Sequence, residues 1–141
     1  MKKTQIIFAT KSIKAMIFIA FITLISFASC KTVPKPEDLP PEMTIIELSQ
    51  KGQESIDSNN YKAAKVYYQV IIDRYGTDTG ALTAAEFEIA HILLKQKDWE
   101  TSKAMLETIV SRFETTGGAS LPPEYLILAR NDLEKISKEL E

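Results

Sequence analysis

Two stretches of fifteen residues decide the fold of this chain: Tyr61–Tyr75, YKAAKVYYQVIIDRY, and Trp99–Phe113, WETSKAMLETIVSRF. In the first, Ala64, Tyr67, Tyr68, Ile71 and Ile72 recur at a spacing that gathers them on one broad face of a helix. Laid over the second at an offset of 38, Tyr61 meets Trp99, Ala64 meets Ser102, Tyr68 meets Leu106 and Ile71 meets Ile109, while Gly52 upstream meets Ala90. Agreement in residue class at a fixed offset is the mark of an internal repeat.

Outward from these stretches the pattern stays helical. A first helix is predicted over about 43–58, carrying Ile45, Ile46, Leu48, Gly52 and Ile56, with Ser58-Asn59-Asn60 as its break. Tyr75 to Gly80 supplies a stop and a loop, and residues 81–96 form a third helix through Leu82, Ala85, Phe87, Ile89, Ala90, Leu93 and Leu94. Asp98 caps a fourth helix that Thr115-Thr116-Gly117-Gly118 ends. Leu121-Pro122-Pro123 opens a fifth, with Tyr125, Leu128, Ala129, Leu133, Ile136 and Leu140 along one side. There is almost no strand signal. The expected fold is all-α, with antiparallel helix pairs stacked into a short solenoid of about five helices over 43–141. One pair cannot cover its own apolar face, so the fifth helix is expected to cap the stack while Lys135, Lys138, Glu139 and Glu141 face water.

The 141 residues carry a formal charge of −2, but the four Lys of residues 1–29 (Lys2, Lys3, Lys11, Lys14) have no acid beside them. The remaining 112 residues hold 13 Lys and Arg against 19 Asp and Glu, a formal charge of −6. Such a body is a poor match for the phosphate backbone, so no nucleic-acid partner is expected. Ala15 to Phe27 is an uncharged run, AMIFIAFITLISF, of 13 residues. As a helix it would span roughly 20 Å, short of the ~30 Å hydrocarbon core. A basic segment, an apolar run of this length and small residues after it form the pattern of a secretory signal peptide, assigned to 1–29. Residues 30–42 follow as a tether: four of the six prolines (Pro34, Pro36, Pro40, Pro41) lie in KTVPKPEDLPPE. In extended form, about 12 residues at ~3.1 Å each would reach ~37 Å.

The single cysteine, Cys30, stands in Phe27-Ala28-Ser29-Cys30, which resembles the lipobox of bacterial lipoproteins, with Phe27 in place of the usual Leu. The resemblance implies that the Cys30 thiol takes a diacylglyceryl group and becomes the new amino terminus. It also implies an outer-membrane address, because Lys31 is not the Asp that retains enterobacterial lipoproteins at the inner membrane. No other cofactor is expected. The repeat is similar to the tetratricopeptide repeat, in which small residues let two helices pack closely and an aromatic opens the second helix. Tyr61-Lys-Ala-Ala64, Ile71-Ile-Asp-Arg-Tyr75, Ala84-Ala85-Glu-Phe87-Glu-Ile-Ala90 and Lys97-Asp-Trp99 look like the text of envelope repeat proteins of the BamD and YbgF type. The period is lengthened from 34 to 38, with the surplus assigned to the loop and helix start after Tyr75.

No arrangement of residues suggests catalysis, and the chain is read as a non-enzyme. One histidine, His91, without a cysteine beside it does not make a metal site, since tetrahedral zinc needs three or four convergent donors. Glu86 and Glu88 are two apart on a helix and point away from each other; with Asp73, Asp98 and Glu100 they read as a solvated face. Gly117-Gly118 lacks the Lys-Ser/Thr that a phosphate loop requires. Tyr61, Tyr67, Tyr68, Phe87 and Trp99 are spaced as interhelix packing. Carrying the tetratricopeptide groove positions over places Ser49, Gln53, Phe87, His91, Lys95, Leu126 and Arg130 on the concave side, with Ile56 and Leu94 beside them. Lys95, Arg130 and His91 would make that side cationic and suited to an acidic segment. The expected function is a lipid-anchored envelope adaptor that binds a protein partner in outer-membrane assembly or maintenance. The alternative is a solute-binding accessory of a transport system, which would need a closed apolar pocket.

Overall fold

A computed structural model describes residues 32–141; the predicted signal segment 1–29 and Cys30 lie outside the described residues. Five helices follow one another, α1 (Ile45–Asp57), α2 (Tyr61–Tyr75), α3 (Thr79–Lys95), α4 (Trp99–Thr116) and α5 (Glu124–Leu140), preceded by a short 3-10 turn at Pro36–Asp38. Among the described residues there is no strand, and no helix is long and apolar enough to cross a membrane. Each helix packs on the next, and α3 also touches α1 and α5, so it meets all four of the others. The all-α fold of stacked helix pairs predicted from the spacing is the fold observed.

Local chemistry sets the helix ends. At α1 the Thr44 hydroxyl accepts from Glu47 N (3.2 Å) while the Glu47 carboxylate accepts from Thr44 N (2.8 Å), a reciprocal capping box. Asn60, Asp78 and Asp98 cap α2, α3 and α4 through their side-chain oxygens. Asp78 accepts from both Gly80 N and Ala81 N, so α3 begins at Thr79 rather than at residue 81 as the glycine suggested. Helix α4 runs on to Thr116 and stops where Gly117 turns to φ 70°.

The offset of 38 is reproduced in the hydrogen bonds of the two intrapair turns. Asn60 N donates to Ser55 O (2.7 Å) and Asn59 N to Ile56 O (2.8 Å); Asp98 N donates to Leu93 O and Lys97 N to Leu94 O, both at 3.0 Å. Asn59 (φ 56°) and Lys97 (φ 63°) are the left-handed residues of these turns. Each turn is a Schellman motif whose last residue is also the N-cap of the next helix, which folds the chain back on itself within three residues.

Small residues line the seams. Ala64, Ala90, Ser102 and Ala129 have no exposed surface, and Ser102 Oγ donates to the backbone carbonyl of Ala90 across the α3–α4 seam at 2.8 Å. In the α1–α2 seam the Tyr68 ring lies on the backbone at Gly52, where a β-carbon would stand 2.6 Å from Tyr68 Cζ. Glycine costs a helix interior about 1 kcal/mol relative to alanine, and this approach is what it permits. Larger side chains close the core on either side of the seams. Leu48, Tyr68, Ile71, Ile89 and Ile92 form one cluster; Phe87, Leu106, Ile109, Phe113 and Ile136 form another. The aromatic residues read as packing are in these clusters or against them.

Residues 35–43 depart from the extended tether expected. Leu39 and Met43 pack against the first cluster, Arg74 donates to the carbonyls of Pro40 (2.7 Å) and Leu39 (2.9 Å), and Tyr75 donates to Met43 O (2.6 Å). A proline-rich run has carbonyls without regular backbone partners, and Arg74 supplies donors for two of them. A spacing argument sees the prolines but not the side chain 34 residues on that holds them.

The α3–α4 seam yields the first prediction. Ser102→Leu forces a branched side chain against the α3 backbone and is expected to cost about 1–3 kcal/mol, whereas Ser102→Ala loses one hydrogen bond and costs about 1 kcal/mol. At roughly 4–8 °C per kcal/mol for a domain of this size, thermal melts followed by circular dichroism resolve the two, and equal melts would contradict the seam.

Candidate functional site

The first helix of each pair, α1 and α3, together with α5, lines the concave side. Two open clefts lie there. One, of about 320 Å³, runs between α1, α2 and α3 with Tyr68 in its wall and Tyr125 at its edge; the other, of about 410 Å³, runs between α1, α3 and α5. They share Gln53 and Glu88 and so join into one trough.

Of the residues predicted for this side, Ser49, Gln53, Phe87, His91 and Lys95 line the trough, as does Ile56. Leu126 and Arg130 do not. Leu126 packs into the second core cluster with Leu94, and Arg130 is exposed on the far side, its Nη2 3.8 Å from Glu114 on α4. The reason is helical phase. With Ala129 buried at the seam, about 100° per residue places Leu126 and Arg130 roughly 60° and 100° to one side of it. Tyr125, Asp132 and Leu128 lie roughly 40°, 60° and 100° to the other side. The carried-over positions fall on the α4 side of α5, and the trough is on the opposite side.

Asp132 is the polar centre of the trough. It is 3% exposed, accepts from His91 Nδ1 at 2.5 Å on one carboxylate oxygen, and accepts from Lys135 Nζ at 2.8 Å on the other. Burial would raise its pKa, but the hydrogen bonds from His91 and Lys135 outweigh it and hold the carboxyl below its usual range. The His91 ring stacks on Phe87 (centroids 5.8 Å apart, 22° between planes), and Phe87 in turn meets Tyr125 (5.4 Å, 52°). His91 thus bridges α3 to α5, with its ring packed on one aromatic and its nitrogen satisfied.

Two expectations about charge are corrected. The concave side is not a cationic strip, because His91 and Lys135 are both engaged by Asp132 and Arg130 is elsewhere. The acids read as one solvated face also divide. Glu86 forms an ion pair with Arg112 of α4 at 2.6 Å, while Glu88 faces the trough, half-buried, its pKa raised by burial with His91 and Lys95 only partly offsetting this. Sequence reasoning missed Glu88, Asp132 and Lys135. The signal was present for α5 as the spacing 125, 128, 132, 135, a second stripe beside the apolar one. Among the described residues no group of three or more His, Cys, Asp or Glu is placed to hold a metal ion.

Asp132 has a lowered folded pKa, so it contributes stability that is present above its unfolded value, near 3.8, and is lost as pH falls through the folded value. Asp132→Asn is therefore expected to melt below the wild type at pH 7, by about 1–3 kcal/mol for a buried carboxylate with two charged donors. The gap should narrow below pH 3.8. A gap independent of pH would place the effect in packing alone.

The chain is 39% identical over 112 residues to an uncharacterized protein of Treponema pallidum (strain Nichols). The match takes in 79% of this chain and 45% of that protein, so the chain spans less than half the length of the curated relative it matches. No protein-family model matches, and no solved structure matches.

Proposed function

We propose that this protein is a lipid-anchored adaptor of the bacterial cell envelope, tethered through Cys30 and docking a protein segment in the trough formed by α1, α3 and α5. The trough carries this reading: it runs along the first helix of both pairs and onto α5, and it is open along its length, a shape suited to an extended chain. The tetratricopeptide likeness supports it, since helix pairs of that kind present such a face to partner peptides. The sequence before Cys30 supports the anchor, and Lys31 after it favours the outer membrane, with assembly or maintenance of that membrane as the task. Asn60 Nδ2 donates to Thr32 O at 3.0 Å, so the described chain is held to the start of α2 from its first residue.

Two measurements in the native cell test this. Metabolic labelling with a fatty acid should mark the wild type and not Cys30→Ala, and the variant should leave the membrane fraction. A photo-crosslinking residue at Gln53 or Lys95 should yield a discrete protein adduct, and one at Gln69, exposed on α2, should not. Labelling that survives Cys30→Ala overturns the anchor, and adducts from Gln69 alone overturn the trough. A melt raised by a small solute, without adducts, would favour the solute-binding accessory.

A further inference from the structure

Glu88 sits where the two clefts meet and makes no hydrogen bond or ion pair with any described residue. The other acids of the trough are occupied: Asp132 by His91 and Lys135, and Asp57 by the Gln53 amide at 2.9 Å. The cations are occupied in the same way, apart from Lys95, which stands seven residues from Glu88, about 10 Å along α3. The phenols of Tyr68 and Tyr125, which line the same cleft as Glu88, have no hydrogen-bond partner among the described residues either. None of these oxygens is sealed in the core, so all three groups stay open to the cleft, and burial around them raises the pKa of each.

Resting on the adaptor reading above, we propose that Glu88, with Tyr68 and Tyr125, is the receptor for a basic side chain of the docked partner segment, an arginine by preference. The carboxylate accepts a guanidinium through two parallel hydrogen bonds, the half-buried Tyr125 ring offers a face to a planar cation, and the Gln53 carbonyl oxygen, not used in the bond to Asp57, can accept from the segment's backbone. The charge left unpaired in the trough is therefore negative at its centre. This is the reverse of the acidic partner that the count of Lys95, His91 and Arg130 suggested.

Glu88→Gln is a usable probe because it does not threaten the fold. A carboxyl with a raised folded pKa favours the folded state while protonated, below its ordinary value of 4.5, and loses that contribution as pH rises through the folded pKa. At pH 7 the amide should therefore melt at or above the wild type. Full-length wild type and Glu88→Gln, purified in detergent, are each panned at pH 7 against a phage-displayed library of random dodecapeptides. The wild-type pool should be enriched in Arg, and less in Lys, at one position of the selected peptides. Replacing that residue by Gln in a synthetic peptide should weaken binding by at least about tenfold, as should Glu88→Gln, and the two losses should not add. Tyr125→Phe should weaken the same peptide by a smaller factor. Peptides selected without a basic preference, enriched in acids, or bound equally by Glu88→Gln overturn the receptor but leave the trough as a docking surface. A wild-type pool with no enrichment overturns both.

Discussion

Everything in this fold depends on how closely two helices of a pair can approach. Across α3 and α4 the approach is fixed by Ser102, whose hydroxyl reaches the Ala90 carbonyl at 2.8 Å with neither residue exposed. Across α1 and α2 it is fixed by Gly52, over whose backbone the Tyr68 ring lies. The residues that set the approach, Gly52, Ala90 and Ser102, bury little apolar surface themselves. Their effect is indirect: close axes let Leu48, Ile71, Leu106 and Ile109 interdigitate completely, and each such side chain is worth about 1.5–3 kcal/mol when buried. The same approach holds α1, α3 and α5 along one side, which is what makes a trough there.

The turns enforce what the seams permit. In both intrapair turns one residue closes the preceding helix as the last member of a Schellman motif and opens the next as its N-cap, so the reversal takes three residues and leaves little freedom of direction. Half of this device is legible in the sequence, where Ser58-Asn59-Asn60 reads as a break and Asp98 as a cap; that the two turns are the same motif at the offset of 38 is seen in their hydrogen bonds. The start of α3 was less so. Gly80 reads as a loop residue, but Asp78 caps the helix across it. The docking of residues 35–43 was not legible at all, because it depends on Arg74 and Tyr75 reaching back more than thirty positions.

At the trough the boundary between legible and illegible is physical as well. The α1 and α3 residues Ser49, Gln53, Phe87, His91 and Lys95 fall together along the trough because the repeat fixes the rotation of both helices. Helix α5 has no partner of its own in the described chain, so its rotation is set by burying Ala129 and Ile136, and a rule taken from complete pairs put Leu126 and Arg130 on the wrong side. Charge was harder still. Formal charges can be counted from sequence, but which acid takes which base depends on distances of a few ångströms. Asp132, unnoticed in the sequence, takes both His91 and Lys135.

That allocation gives the trough its polarity. Because Asp132 is nearly inaccessible, its charge is tolerable only while His91 and Lys135 donate to it, and their engagement ties α3 to α5. Neither cation makes a hydrogen bond to Glu88, whose ionised form burial disfavours, with the charges of His91 and Lys95 only partly offsetting this. One acid on the concave side thus stabilises the stack, and another is left without a hydrogen-bond or ion-pair partner among the described residues, its ionised form disfavoured by burial. The position of that carboxylate follows from the order of the residues. Ala90 must face the seam, and about 100° of rotation per residue then sets Glu88 and His91 about 200° and 100° from it, on either side of the direction in which the trough opens.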